Sequence, residues 1–353
     1  MTNEVLPRAA GAEYLADVLR RAGVMGDGRL CNVEVDSSRR QLISRRIILL
    51  RLTYGSAMGA PSSLILKIGV PMRRDSEIGR REVEFYTQVA PLASTGLVPR
   101  CFDAVFDSET KEWHLLLEDL TDTHVIATTW PLPPSFEQCQ LMVHALARIH
   151  AEWWDHPRLG ISVGKWLDNL AIGELMERFT GLYKSFADRL GDRLSLHRRE
   201  PYDRFIEAAP RQLARYQACR NLSLVHGDSH VWNYFMPRDG SDDIRLFDWD
   251  AWRIGRAAND LAYMIAAHWY PERRQRMERP LLDHYHAALV THGVSGYERN
   301  DLHEDYRVSV LWQLMTPVWQ AALDLPPMIW WAISSASCWR WTTSAAATCL
   351  VEL

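Results

Sequence analysis

The stretch "LSLVHGDSHVWNYFMP", Leu222 to Pro237, sets His226, Asp228, His230 and Asn233 close together behind an apolar run. Two chemistries fit these side chains. His226, Asp228 and His230 are all types that ligate a hydrolytic metal. The spacing H-x-D-x-x-x-x-N is also that of a phosphotransfer loop, in which the Asp handles a hydroxyl and the Asn gives an oxygen to Mg²⁺.

Three further residues bear on the choice. Lys67 ends the apolar strand "SSLILKIG", Glu82 follows fifteen residues later on a helix, and Asp248 sits in "LFDWD". Phosphoryl transfer asks for a cation on the nucleotide phosphates, an acid to hold that cation, a carboxylate near the accepting hydroxyl, and oxygen ligands for magnesium. These types occur here in that order. A metal hydrolase needs additional donors, but "HVWN" and "FDWD" bring no second histidine cluster, and Lys67 and Glu82 go unused. Each residue also has a purely structural reading. Lys67 and Glu82 can be an exposed ion pair worth under ~1 kcal/mol, Asp228 and Asn233 turn formers, Asp248 a strand-end turn, and Asp260 a helix cap. His150, in "ALARIHAEWW", reads as a hydrogen-bonded core histidine. Asp250 is either a further magnesium contact or a solvated carboxylate.

The surrounding pattern says what must position these groups. "RRIILLRLTY" and "SSLILKIG" are rich in branched residues and flank the turn "GSAMGAP", which predicts an antiparallel pair. A helix follows in "DSEIGRREVEFYTQVAPL", with Ile78, Val83, Phe85 and Val89 turned inward, and then two strands in "CFDAVFDSETKEWHLLLEDL". After "WPLPPS" the spacing becomes helical. The reading is α+β and two-lobed: an N-terminal helical segment over 1–30, whose apolar face carries Tyr14, Leu15, Val18 and Leu19; a small antiparallel lobe with one main helix over 31–120; and a larger helical lobe over 121–331. The segment 332–353 has no helical period and no charge but Arg340 and Glu352; its composition fits a shifted reading frame.

Bulk composition excludes several classes. The 353 residues are 47% hydrophobic and 24% charged, ordinary for a globular chain, and the net charge of −4 argues against a nucleic-acid partner. Six cysteines, at 31, 101, 139, 219, 338 and 349, form no C-x-x-C pair, so free thiols in the cytoplasm are expected. The N-terminus lacks a signal-peptide core. The apolar run Val308 to Trp331 is interrupted by Gln313, Gln320, Asp324 and three prolines, so it reads as buried helices broken near Pro326, with no membrane role. No obligate protein partner is indicated.

On these motifs the chain resembles the aminoglycoside phosphotransferase and choline kinase group, whose loop reads H-G-D-x-x-x-x-N. It is most similar to the ecdysteroid-kinase-like branch. The resemblance runs from about Val33 to Trp331 and implies a protein-kinase-like fold using ATP and Mg²⁺. It assigns Lys67 to the α- and β-phosphates, Glu82 to a salt bridge with it, and Asp228 to the substrate hydroxyl. Asn233 and Asp248 would hold magnesium; His226 and Asp260 would brace the loop. The adenine edge would meet the backbone around Glu118 to Leu120, and Ser44 would lie in the turn over the phosphates. A non-catalytic nucleotide binder of the same fold is the alternative.

Only eleven residues separate Asp248 from Asp260, too few for the loop that orders a peptide substrate, so the expected acceptor is the hydroxyl of a small molecule. Eight of the fifteen tryptophans follow Asp250, among them Trp252, Trp269, Trp312, Trp319, Trp330 and Trp331, and most read as core. The late helices carry only scattered carboxylates, Asp283, Glu304, Asp305 and Asp324, where an aminoglycoside would call for a cluster. One departure concerns the phosphates: "DSSRRQLIS" has no glycine, so no G-x-G-x-x-G motif covers them.

Overall fold

Branched and apolar runs between residues 30 and 118 build one five-stranded sheet. Its strands are β1 (Leu30–Asp36), β2 (Arg45–Tyr54), β3 (Ser63–Gly69), β4 (Cys101–Phe106) and β5 (Trp113–Glu118). They are ordered β1-β2-β3-β5-β4, and every neighbouring pair is antiparallel. The computed structural model describes residues 7–36, 45–56, 59–69, 76–129, 132–213, 219–269 and 271–322. Ser44, the glycine-free turn at 37–44, the break near Pro326, Trp330, Trp331 and the tail 332–353 lie outside the described residues.

The chain divides into two units. The first comprises residues 1–125 and 235–251, the second residues 126–234 and 252–353. In the first, the pleat of β3 sends alternate side chains to opposite faces. Leu64 and Leu66 join a core with Leu15, Val18 and Leu19 of α1 (Ala12–Arg21). Tyr14 of that helix donates its hydroxyl to Asp103 Oδ2 at 2.5 Å. Lys67, one residue on, therefore faces the other side, which α2 (Ser76–Glu84) covers.

Trp113 sets how closely α2 lies on the sheet. Its buried indole fits against two glycines, Gly69 on β3 and Gly79 on α2. A Cβ at Gly69 would fall 2.4 Å from Trp113 Nε1, and one at Gly79 2.1 Å. Glycine inside a helix costs roughly 1 kcal/mol against alanine, so its place here follows from packing. The helix continues through a wider turn at Phe85–Val89, where Phe85, Tyr86 and Val89 are buried. Val83 is also buried, while Ile78 is only half-buried.

The last strand of this stretch is β6 (His124–Ile126). Helices then dominate: α3 (Phe136–Glu152), opened by a reciprocal Ser135–Gln138 capping box; α4 (Asn169–Leu190); and α5 (Leu196–Leu213). Then come β7 (Ser223–Val225), β8 (Tyr234–Pro237), β9 (Arg245–Leu246) and β10 (Arg253–Gly255). β10 pairs antiparallel with β7, and β6, β8 and β9 form a small sheet in the order β6-β8-β9.

The chain ends in α6 (Ala258–Ile265), α7 (Pro271–Thr291), α8 (Arg299–Trp312) and α9 (Met315–Ala322). In the second unit α3 packs on α7, α6 on α8, and α4 on both α5 and α9. Trp252 and Trp269 are buried, and Trp312 and Trp319 meet Phe205 and Phe179 of the α4–α5 pair. No described helix is long and apolar enough to cross a membrane. The four described cysteines, Cys31, Cys101, Cys139 and Cys219, are free thiols.

Replacing Gly79 by alanine tests the Trp113 contact. The new methyl must displace the ring, so Gly79→Ala is expected to destabilise the protein by about 1–3 kcal/mol despite its better helix propensity. Thermal unfolding measures this, and a midpoint at or above the wild-type value would refute the packing account.

Candidate active site

Strand, helix and returning segment of the first unit each bring one charged residue to a common point. Lys67 Nζ donates to Glu82 Oε1 at 2.6 Å and to Asp248 Oδ1 at 2.7 Å. The lysine is 6% exposed and the glutamate 1%. Glu82 Oε2 is buried with no hydrogen-bond partner. Asp248 adopts φ 68°, a left-handed conformation uncommon for a residue with a side chain, and the next residue explains how it is held. The Trp249 indole stacks flat on Phe85 at 4.1 Å and donates Nε1 to the Leu246 carbonyl at 2.9 Å. Asp248 is thereby fixed to the same helix that carries Glu82.

Glu118 and Leu120 are engaged within this unit. The Glu118 amide donates to the Arg100 carbonyl at 2.9 Å, and its Oε1 accepts from the Arg100 amide and from Arg245. The Leu120 carbonyl accepts from the amides of Thr123 and His124. Between them Asp119 accepts from Ser63 Oγ at 2.8 Å.

The 226–233 loop in the second unit is built around a buried carboxylate. Asp260, on α6 and 0% exposed, accepts from the amides of His226 (2.7 Å) and Gly227 (2.9 Å) and meets His150 Nε2 at 3.1 Å. Its own carbonyl accepts from Ser229 Oγ at 2.7 Å. His150 Nδ1 in turn meets the Tyr285 hydroxyl at 2.7 Å. At the start of the loop, Ser223 Oγ donates to the His150 carbonyl, and Asp155 exchanges bonds with the Leu222 backbone. His226 accepts the Asp228 amide on Nδ1 at 3.3 Å. Asn233 Nδ2 donates to the Asp228 carbonyl (2.8 Å) and Oδ2 (3.3 Å), which leaves the amide oxygen as its remaining donor atom for a ligand.

Among the described residues no three His, Cys, Asp or Glu side chains are arranged to hold a metal ion. His226 is spent on bracing the loop, and His230 Nε2 stands 3.6 Å from Asp228 Oδ2. The hydrolase reading of "HGDSH" therefore has no cage. Taken singly, Asp248 offers carboxylate oxygens and Asn233 an amide oxygen, each a donor type that magnesium accepts.

Sequence spacing did not reveal the direct Lys67–Asp248 bond or the Asp260–His150–Tyr285 chain. Both link residues more than a hundred positions apart. The conjunction of a mid-helix histidine in "ALARIHAEWW" with an aspartate in "NDLAYM" was the available signal for the second.

Asp260 carries a pH prediction. Burial alone would raise its carboxyl, but the hydrogen bond and charge of His150, then His226 and the Gly227 amide, outweigh it and hold the carboxyl below the ordinary 3.8. A depressed native value means stability present above the unfolded-state value and lost as pH falls through the native one. Asp260→Ala strips several buried donors of their acceptor and should cost about 3 kcal/mol or more at neutral pH. That difference should shrink as both proteins are titrated below about pH 4. Urea unfolding at pH 7 and pH 3 measures it; a pH-independent difference would count against the ionised carboxylate.

Residues 51–303 match the model of the phosphotransferase enzyme family. No curated protein matches the sequence. Among solved structures, an inferred aminoglycoside phosphotransferase from Ralstonia eutropha is 16% identical with a TM-score of 0.56, over 96% of each chain. Choline kinase LicA from Streptococcus pneumoniae is 14% identical with a TM-score of 0.54, over 95% of this chain and 98% of that one. APH(2")-IIia, in complex with GDP and kanamycin, is 13% identical with a TM-score of 0.52, over 96% and 99%. The α+β architecture of an antiparallel sheet with one main helix, followed by a helical part, is the protein-kinase-like fold of these neighbours. With the buried lysine and the H-G-D loop set in that fold, and the match spanning most of the sequence, the chain belongs to the phosphotransferase enzyme family.

Proposed function

We propose that this chain transfers a phosphoryl group from ATP, with Mg²⁺, to a hydroxyl of a small molecule. The observation that carries the reading is the buried Lys67 ammonium clasped by two carboxylates. Desolvating three charges is expensive, and an apolar trio of similar volume would hold the elements together as well or better. The arrangement makes sense where a fixed cation must meet anionic phosphates. Lys67 would bind the α- and β-phosphates, with Glu82 holding it in place. Asn233 and Asp248 would ligate magnesium, which when bound neutralises charge on the nucleotide. Asp228 would accept or orient the acceptor hydroxyl, braced by His226 and Asp260. The backbone around Glu118 to Leu120 would meet the base, and Ser44 would belong to the turn over the phosphates.

The late-helix carboxylates favour an acceptor less cationic than an aminoglycoside. Asp305 is buried against Arg256 and the Tyr297 hydroxyl, and Asp283 pairs with Arg299 at 3.2 Å. Neither stands ready to receive an ammonium group.

Calorimetric titration with ATP and with GTP, each with and without Mg²⁺, tests the nucleotide half; no binding of either to folded protein would overturn it. ADP release across a panel of sterols, amino alcohols and aminoglycosides tests the acceptor half. Asp228→Ala should lower turnover at least ~100-fold while nucleotide affinity is nearly kept. Full turnover in that variant would remove Asp228 from the chemistry.

A further inference from the structure

The histidine that closes "HGDSH" has no part in the reading above, yet the loop brings it to the reactive carboxylate. Ser229 turns inward, fully buried, and gives its hydroxyl to the Asp260 carbonyl at 2.7 Å. The residues on either side stay partly open: the Asp228 side chain is 28% exposed and that of His230 23%. The His230 amide donates to the Asp228 carbonyl at 2.9 Å, which closes a tight turn between them. Across that turn His230 Nε2 stands 3.6 Å from Asp228 Oδ2, the oxygen that Asn233 Nδ2 also reaches, at 3.3 Å.

Neighbouring rings hold the imidazole in that attitude. Its centroid lies 5.6 Å from the Trp232 indole, 5.8 Å from the His268 imidazole and 6.4 Å from the Tyr263 ring. His268 is itself fixed, since its Nδ1 donates to the Tyr263 carbonyl at 2.7 Å. Nε2 of His230 faces the carboxylate, while its Nδ1 is buried with no hydrogen-bond partner among the described residues. In the neutral ring the proton therefore belongs on Nε2, because a bare lone pair there would confront a carboxylate oxygen. A proton on Nδ1 would instead be a buried donor without an acceptor.

A separation of 3.6 Å is longer than a hydrogen bond. Contacts among catalytic groups are often long before the substrates bind and tighten in the complex. We propose that His230 is a positioning residue for phosphoryl transfer: its Nε2–H closes on Asp228 Oδ2 and, with the Asn233 amide, holds that oxygen while the carboxylate engages the acceptor hydroxyl. This rests on the reading of Asp228 given above. The two histidines of the loop thus divide the work, His226 bracing the Asp228 backbone and His230 its side chain.

Two substitutions separate the nitrogens: His230→Gln keeps an N–H donor near the place of Nε2, whereas the amide of His230→Asn ends near Nδ1. Turnover of MgATP with water as acceptor, followed by ADP release, should fall roughly tenfold in His230→Asn, with KM for ATP unchanged. His230→Gln should recover most of that loss. Wild-type turnover in the Asn variant, or a Gln variant no better than Asn, overturns the inference. In the Asp228→Ala background His230→Asn should have no further effect; equal fold-losses in both backgrounds would show that it does not act through Asp228. Nitrogen-15 NMR of the imidazoles, with His230 assigned from the signals missing in His230→Gln, gives a readout free of activity. The ring should be the Nε2–H tautomer, and its Nε2 signal should move in Asp228→Ala; an Nδ1–H ring or an unmoved signal overturns the inference. Failure of the broader reading looks different. A wild type that releases no ADP, or an Asp228→Ala protein as active as wild type, removes the phosphotransferase assignment, whereas the contact between His230 and the carboxylate is still decided by the NMR.

Discussion

A lysine ammonium shut away from water must be compensated, and that requirement organises the first unit. Lys67 comes from a sheet strand, Glu82 from the helix above it, and Asp248 from a segment that rejoins the unit 181 residues later. The cation is tolerable only if all three arrive within hydrogen-bonding distance. The rest of the unit reads as the means to that end. The Trp113 indole against Gly69 and Gly79 draws α2 down onto the sheet, and Phe85 stacked on Trp249 locks the returning segment to the same helix.

The second unit repeats the logic with the opposite sign. There the buried ion is Asp260, and its partners are two backbone amides of the loop and an imidazole of α3. A loop as polar as "HGDSH" would ordinarily be mobile. Its backbone donors are taken by one carboxylate on a rigid helix, so Asp228 is presented from a fixed base. Both units thus bury an ion whose partners fix the elements around it, the Lys67 ammonium in the first and the Asp260 carboxylate in the second.

Much of the architecture was legible beforehand, for reasons that differ by element. The β2–β3 and β4–β5 pairs showed in branched runs joined by turn residues, and α3 and α4 in their apolar period, because both signals are local. The edge strand β1 and the short β7 to β10 were fainter, since two to seven residues carry little periodicity. In α2, Ile78 read as core by spacing, yet the helix rests on the sheet through Gly79, and Ile78 is left half-buried. No pattern rule points to a glycine as the contact, because the ring it receives lies more than thirty residues away.

By itself the sequence determined which residue types were available, in what order, and which short segments would be strand, helix or turn, since these follow from neighbours along the chain. Order and spacing were enough to single out Lys67, Glu82, Asp228, Asn233 and Asp248. Tertiary structure alone decided that Lys67 bonds both carboxylates at once, and that His150 and Tyr285 stand behind Asp260. Those are contacts between distant parts of the chain, chosen by which arrangement leaves the fewest buried charges and donors without a partner. That choice depends on three-dimensional closure and has no signature in local spacing.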